Sequence, residues 1–225
     1  MHIEPGIVDG AKMALGAVTA TGALGLTAKF AVETAKADGA ASLAVRSLIS
    51  TGAVFSFFQL LPHQPVGVSE VHLILGSTLF LLFGRAPAML GLAAGLLLQG
   101  LLFAPTDLPQ YGINVTTLLV PLYAMSLLAA KIIPTGTAYK DISYLQALKL
   151  STTFQAGIVS WVAFWAFYGQ GFGAENIASV AAFGVAYMSV ILLEPIADLA
   201  VLAGVKTLYG FKDSGLFAKR LFATA

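Results

Sequence analysis

The chain has 225 residues, of which 58% are hydrophobic and only 10% are charged, and its mean hydropathy is +0.86. Soluble domains contain roughly 45–50% apolar and about 25% charged residues, so this composition excludes an ordinary soluble fold and predicts a protein embedded in a lipid bilayer. The net charge of +1 excludes nucleic acid as a partner, because phosphate recognition needs a concentrated basic surface. Without cysteine the chain has neither disulfides nor thiolate metal sites.

Seven apolar stretches approach the roughly 20 residues that a helix needs to cross a hydrocarbon core about 30 Å thick. They lie near residues 11–30, 44–61, 71–84, 86–104, 112–131, 148–168 and 177–197. The third is short and ends at Gly84-Arg85-Ala86-Pro87, which is typical of a tight turn between antiparallel helices. We therefore predict an all-α integral membrane protein with about seven transmembrane helices, forming a single domain over residues 1–225.

The basic residues predict the orientation of the chain. If the amino terminus lies outside, every basic residue except Lys12 falls on the cytoplasmic side: Lys29, Lys36, Arg46, Arg85, Lys131, Lys140, Lys149, Lys206, Lys212, Lys219 and Arg220. This distribution follows the positive-inside rule. We expect an outer amino terminus and an inner carboxyl terminus.

Met1 and His2 form a potential metal chelate. The α-amine, the amide nitrogen of His2 and its imidazole can close two fused rings around one divalent ion, and such nitrogens suit nickel(II), copper(II) or cobalt(II) better than magnesium or calcium. The other histidines, His63 and His72, fall on the same predicted side, although a histidine at a helix start is more often an interfacial residue than a ligand. The segment Glu4-Pro5-Gly6 would let the terminus turn back between the helices.

Five polar side chains within or beside the apolar stretches are candidates for lining such a site: Gln59, Ser69, Gln99, Asn114 and Thr117. An unpaired amide buried there would cost on the order of several kcal/mol, so these side chains require partners. Hydrogen bonds between helices and support of a metal site explain them equally well at this point.

Several motifs occur together in the first half of the chain. They are Met1-His2-Ile3 with Gly6, Gly52-Ala53-Val54-Phe55, Gln59-Leu60-Leu61, His72-Leu73, Leu98-Gln99-Gly100-Leu101-Leu102-Phe103 and Gly112-Ile113-Asn114. In combination they resemble the CbiM/NikM family, the substrate-binding membrane subunits of energy-coupling factor ABC transporters for cobalt and nickel. Recognisable motifs cover roughly residues 1–125, and the remainder is similar only in hydropathy.

The resemblance implies a site made only of nitrogen ligands. In that family the terminal amine, the amide nitrogen and imidazole of the second residue, and a second imidazole hold the ion in a planar arrangement. Transferred to this chain, the ligands are Met1, His2 and His72, with the amino terminus folded back into the bundle. Gln59, Ser69, Gln99 and Asn114 are then supporting residues; His63 lies outside the ligand set.

Two departures from the family pattern concern the surroundings of the ligands. The family run Gly-Gly-Thr-Ser-Gly before the second histidine is Gly67-Val68-Ser69-Glu70-Val71 here, and the later asparagine of Gly-Ala-Asn-x-x-Asn is Thr117. Glu70 has no counterpart in the family run. We expect Glu70 to lie near the ion entrance and to raise the rate of ion capture electrostatically, without being a ligand.

The resemblance also implies the function and the partners. The chain would capture cobalt(II) or nickel(II) as transported substrate, need no cofactor, and work with a membrane coupling subunit and two ATP-binding subunits; a small accessory membrane subunit is a further candidate. Since the sequence lacks the phosphate loop Gly-x-x-x-x-Gly-Lys-Ser/Thr, ATP hydrolysis would belong to the partners and the chain itself would not be an enzyme. The expected location is the bacterial or archaeal cytoplasmic (inner) membrane.

Two features remain open to more than one explanation. Glu194 and Asp198, followed by basic residues from Lys206 to Arg220, are compatible with a docking surface or with ordinary capping at the membrane interface. The alternative function is a membrane binding subunit, or a secondary carrier, for a small organic solute such as a vitamin.

Overall fold

The computed structural model describes residues 3–210, which form seven α-helices and one β-hairpin. The helices are α1 (Met13–Asp38), α2 (Ala40–Leu60), α3 (Gly76–Phe83), α4 (Arg85–Leu102), α5 (Tyr111–Ile132), α6 (Tyr144–Gln170) and α7 (Ala174–Gly210). The hairpin strands are β1 (Gln64–Val66) and β2 (Ser69–Val71), and short 3₁₀ turns precede α1, α5 and α6. Within the described residues, all helices except α3 are long and apolar enough to cross a membrane.

The third predicted span is not a continuous transmembrane helix. Its only helical part, α3, has eight residues and would cover about 12 Å at 1.5 Å per residue. The rest of the expected stretch is the end of the hairpin and an irregular segment at residues 72–75. Hydropathy could not distinguish these conformations, because a short apolar run suits a buried strand as well as a helix. The described chain therefore contains six helices of spanning length and one short helix.

The chain nevertheless returns along the bundle between the end of α2 and the start of α4. Gly84, with a φ of 90°, makes the turn from α3 into α4. Arg46, in the first part of α2, donates from Nη1 to the carbonyl oxygen of Phe83 at 3.1 Å. The short helix therefore ends beside the beginning of α2, so the hairpin, the irregular segment and α3 together traverse the length of that helix.

The centre of the bundle is formed by α4 and α5. In the most apolar 18-residue stretch of each helix, 61% of the residues are buried in α4 and 67% in α5, against 17–22% in α1, α2 and α7. Glycines let α4 approach α2 closely: an added Cβ at Gly91 would lie 2.1 Å from Ser50 Oγ, and one at Gly95 would lie 2.6 Å from Val54. The more exposed helices present apolar side chains outward, as expected for contact with lipid.

Replacing Gly91 with valine should destabilise the bundle, because even the backbone of Ser50 lies 2.8 Å from the position of the new Cβ. We expect a cost of about 1–3 kcal/mol, typical of overpacking, seen as a lower melting temperature in detergent. The matched control is Gly25→Val in α1, where an added Cβ meets nothing within 4 Å. Equal melting temperatures for the two variants would contradict the packing described here.

Candidate metal centre

The described chain starts inside the protein. Ile3 is fully buried, and its N–H donates to Asn114 Oδ1 at 2.8 Å. Ile3 also pairs in antiparallel fashion with Ser69 of β2, and the N–H of Glu4 donates to the carbonyl oxygen of Val68 at 3.1 Å. These bonds fix the amino-terminal segment along the free edge of the hairpin.

Two glutamines that the sequence analysis did not single out hold the same segment from the side. Gln110, with its amide oriented to satisfy both ends, donates to the carbonyl oxygen of Ile3 at 3.0 Å and accepts from the N–H of Gly6 at 3.3 Å. Gln170 donates to the carbonyl oxygen of Gly6 at 3.2 Å. The only signal in the sequence was the position of both amides at the ends of apolar stretches.

Met1 and His2, two of the three predicted ligands, lie outside the described residues. The third, His72, is 1% exposed and follows directly after β2. Its Nε2 lies 2.8 Å from Glu70 Oε2. Metal-binding histidines usually donate their other ring N–H to a carboxylate or carbonyl, so Nδ1 of His72 is the nitrogen that would coordinate an ion.

Two aromatic rings hold the imidazole of His72 in place. Phe58 meets it edge to face, with ring centroids 5.3 Å apart and an angle of 74° between the planes. His63 stacks on it at 5.1 Å and 11°. The sequence analysis placed His63 in a loop outside the ligand set; the hairpin folds that loop back, so His63 contacts a predicted ligand.

Three carboxylates lie around this region: Glu4, Glu70 and Asp107. Burial raises the pKa of Glu4, and the negative charges of Glu70 and then of Asp107 raise it further. Within residues 3–210, no group of three or more histidine, cysteine or acidic side chains has the geometry to hold a metal ion. The carboxylates therefore supply a negative field and no complete coordination shell of their own.

The other predicted lining residues have different surroundings. Gln99 and Asn114 border a cavity of about 10 Å³ that Asp107 also lines, and Gln99 Oε1 and Asn114 Nδ2 are buried without a hydrogen-bond partner among the described residues. A cavity of this size accommodates about one water molecule. Gln59 is half-buried near the end of α2, whereas the hydroxyl of buried Thr117 donates to the carbonyl oxygen of Ile113 in its own helix at 3.1 Å.

Glu194 and Asp198 are wholly or almost wholly buried, at 0% and 2% exposure, so neither a docking surface nor interfacial capping describes them. Glu194 Oε1 accepts the N–H of Ile74. Asp198 accepts the hydroxyls of Ser77 and Thr78. Both interpretations from the sequence are wrong, because α7 packs these carboxylates against the segment that follows His72. Much of the basic stretch after Lys206, from residue 211 to Arg220, lies outside the described residues.

Six long apolar helices around a buried polar centre, within the described residues, are the architecture of a multi-pass membrane protein. The family model described as the cobalt uptake substrate-specific transmembrane region, CbiM, matches residues 2–209. The chain belongs to this family and is a transmembrane component of cobalt uptake. The match extends well beyond the first-half motifs noted in the sequence. Neither a search of curated proteins nor a search of solved structures found a match to this chain.

The raised pKa of Glu4 predicts how charge repulsion affects stability. A carboxyl with a raised pKa contributes stability that is present below its ordinary value of 4.5 and is lost as the pH rises through the raised value. Glu4→Gln should therefore raise the melting temperature of metal-free protein at neutral pH and have little effect below about pH 4.5. The control is Glu175→Gln, at an exposed position at the start of α7. A melting temperature unchanged or lowered at neutral pH would show that repulsion at Glu4 is negligible.

The contact between Glu70 and His72 predicts different results for two substitutions. Glu70→Gln keeps an oxygen that can accept from His72 Nε2 but removes the charge, so ion capture should slow mainly at low ionic strength. Glu70→Ala also removes the hydrogen bond and should weaken cobalt binding by about 10–100-fold, the usual cost of losing such a partner. Stopped-flow capture and equilibrium titration separate the two effects. Complete loss of bound metal from Glu70→Gln at saturating ion would instead identify Glu70 as a ligand.

Proposed function

We propose that this protein captures cobalt(II) or nickel(II) for ATP-driven uptake, as the substrate-specific component of an energy-coupling factor ABC transporter. The observation that carries the proposal is the position of Ile3. Ile3 is buried and pairs with Ser69, and Ser69 precedes His72 by three residues. Two residues of extended chain reach only about 7 Å, and the proposal requires Met1 and His2 to act within that distance of Ile3. The proposed ligands are the amine of Met1, the amide nitrogen and imidazole of His2, and the imidazole of His72.

The surroundings suit the capture of a transition-metal cation. Nitrogen donors favour cobalt(II) and nickel(II) over magnesium and calcium, which prefer oxygen. Glu70 would keep the imidazole of His72 in one tautomer and orientation, while Glu4 and Asp107 add negative charge that attracts cations. Because nitrogen ligands must lose protons to bind, we expect affinity to fall in acid.

The proposal includes nickel for a chemical reason. The family is described by cobalt uptake, but a nitrogen site binds both ions, and the general affinity order places nickel(II) above cobalt(II). Affinity alone therefore does not assign the physiological substrate. The sequence contains no phosphate loop, so the energy must come from two ATP-binding subunits acting through a membrane coupling subunit, with a small accessory membrane subunit as a further partner. We place the assembly in a bacterial or archaeal cytoplasmic membrane, with the amino terminus outside.

Extending the chain by one alanine before Met1 tests the proposed site directly. The extension moves the terminal amine out of the chelate while leaving both imidazoles in the chain. We expect cobalt and nickel binding, measured by calorimetry on detergent-purified protein, to weaken by more than the roughly 10–100-fold that loss of an outer-shell partner costs. One alanine added after Ala225 is the matched control and should leave the affinity unchanged. Equal affinities for the two extended proteins would refute ligation by the amine and favour an organic solute as substrate.

A further inference from the structure

We propose that Glu194 and Asp198 are positioning residues for metal binding: they hold the chain on both sides of Leu75 and thereby fix His72. The inference rests on the proposed function, in which His72 is a metal ligand. Neither carboxylate contacts the ion in this proposal. Both act through the backbone between β2 and α3.

The segment that carries His72 has little regular structure of its own. Residues 72–75 belong to neither a helix nor a strand. The carbonyl oxygen of Leu75 accepts from the N–H of Leu79 at 3.0 Å, but within the described chain no ladder or helical hydrogen bond holds residues 72–74. The N–H of Ile74, two residues after His72, donates instead to Glu194 Oε1. Buried backbone donors require such a partner, and a lipid-embedded protein must supply it internally. The backbone next to His72 is therefore tied to α7.

Leu75 is the joint between this segment and α3. Its φ is 52° and its ψ is 38°, and it is the only non-glycine residue with a positive φ among residues 3–210. Side chains rarely adopt this left-handed conformation, which persists when the surrounding structure holds it. Here the surroundings act on both sides: Glu194 binds the residue before Leu75, and Asp198 binds residues shortly after it.

Asp198 fixes the first turn of α3. It accepts the hydroxyl of Ser77 at Oδ2 and that of Thr78 at Oδ1. A carboxylate is favourable at a helix amino terminus because the helix dipole is positive there. Asp198 lies four residues after Glu194 in α7, so both side chains lie on the same face of that helix. One helix surface thus holds both sides of the joint.

Glu194 is itself held from α6. Gln155 donates from Nε2 to Glu194 Oε2, and the hydroxyl of Tyr187 donates to Gln155 Oε1 at 2.6 Å. Glu194, Gln155 and Tyr187 are all fully buried. Both oxygens of Glu194 accept hydrogen bonds, one from the backbone of Ile74 and one from α6. Ionisable residues buried within membrane-spanning segments are costly and usually functional, and the function that these bonds indicate is to fix the His72 segment.

Two substitutions at position 194 separate hydrogen bonding from charge. Glu194→Leu leaves the N–H of Ile74 without an acceptor, and we expect cobalt binding at least about tenfold weaker, as for other outer-shell losses. Glu194→Gln keeps one oxygen that can still accept from Ile74, while its NH2 group replaces the oxygen that faces Gln155 and the ionisable group is removed. Because the bond to the His72 segment is kept, its affinity should stay within about threefold of wild type. X-ray absorption at saturating cobalt should show the same total number of nitrogen and oxygen neighbours in wild type and in both variants, because Glu194 contributes no oxygen ligand.

The matched control is Asn176→Leu, also in α7. Asn176 is buried, but its amide donates to the carbonyls of Ala166 and Gly171, away from His72. This variant should lower the melting temperature and leave the cobalt affinity unchanged. Should Glu194→Leu fail to fold, Ser77→Ala with Thr78→Val removes both bonds to Asp198 by small changes and should also weaken binding.

The outcomes are distinguishable. If wild-type protein bound neither cobalt nor nickel, the proposed function would fail and this inference with it. If wild-type protein bound cobalt, and if Glu194→Leu and the Ser77/Thr78 double variant both bound it with wild-type affinity, only the positioning role would be overturned. If Glu194→Gln lost as much affinity as Glu194→Leu, an acceptor for the N–H of Ile74 would not be what metal binding needs, and positioning through that bond would be overturned.

Discussion

The need to satisfy backbone polar groups inside an apolar bundle shapes the rest of this structure. Regular helices satisfy their own groups, but the chain between α2 and α4 is a hairpin, an irregular segment and a helix of only eight residues. Its backbone therefore takes partners from other elements. Glu194 of α7 accepts from Ile74, and Arg46 of α2 donates to Phe83. Charged side chains deep in the bundle are explained by this irregular segment.

The same constraint accounts for the position of the amino-terminal segment. A two-stranded hairpin leaves an edge with unpaired N–H and carbonyl groups, which inside a protein must find a partner. Ile3 and Glu4 complete the edge of β2 at Ser69 and Val68. The edge that needs pairing lies three residues before His72. The pairing that closes the edge of the hairpin therefore also brings Ile3 towards His72.

The sequence predicted structural features that depend on a single helix, but it did not predict contacts between segments that are distant along the chain. Hydropathy located all six long helices, and the histidine and asparagine motifs selected His72 and Asn114, both of which are buried. It failed at residues 71–84, because apolar composition does not record backbone conformation. The role of Glu194 depends on Ile74, which lies 120 positions away, and no local pattern indicates that contact. His63 likewise reaches His72 only through the fold of the hairpin.

Carboxylates have three distinct roles in this protein, and their surroundings decide which. Glu4 and Asp107 are half-buried near other negative charges, so they contribute a field that attracts a cation. Glu70 keeps part of its side chain exposed but bonds His72, so it also fixes the direction of an imidazole. Glu194 and Asp198 are shielded from water, and each of their oxygens accepts a hydrogen bond from a protein donor, so these carboxylates are engaged with the protein. Exposure thus decreases from the groups that would attract the ion to those that would hold its ligand in place, as expected if attraction requires access and positioning requires rigidity.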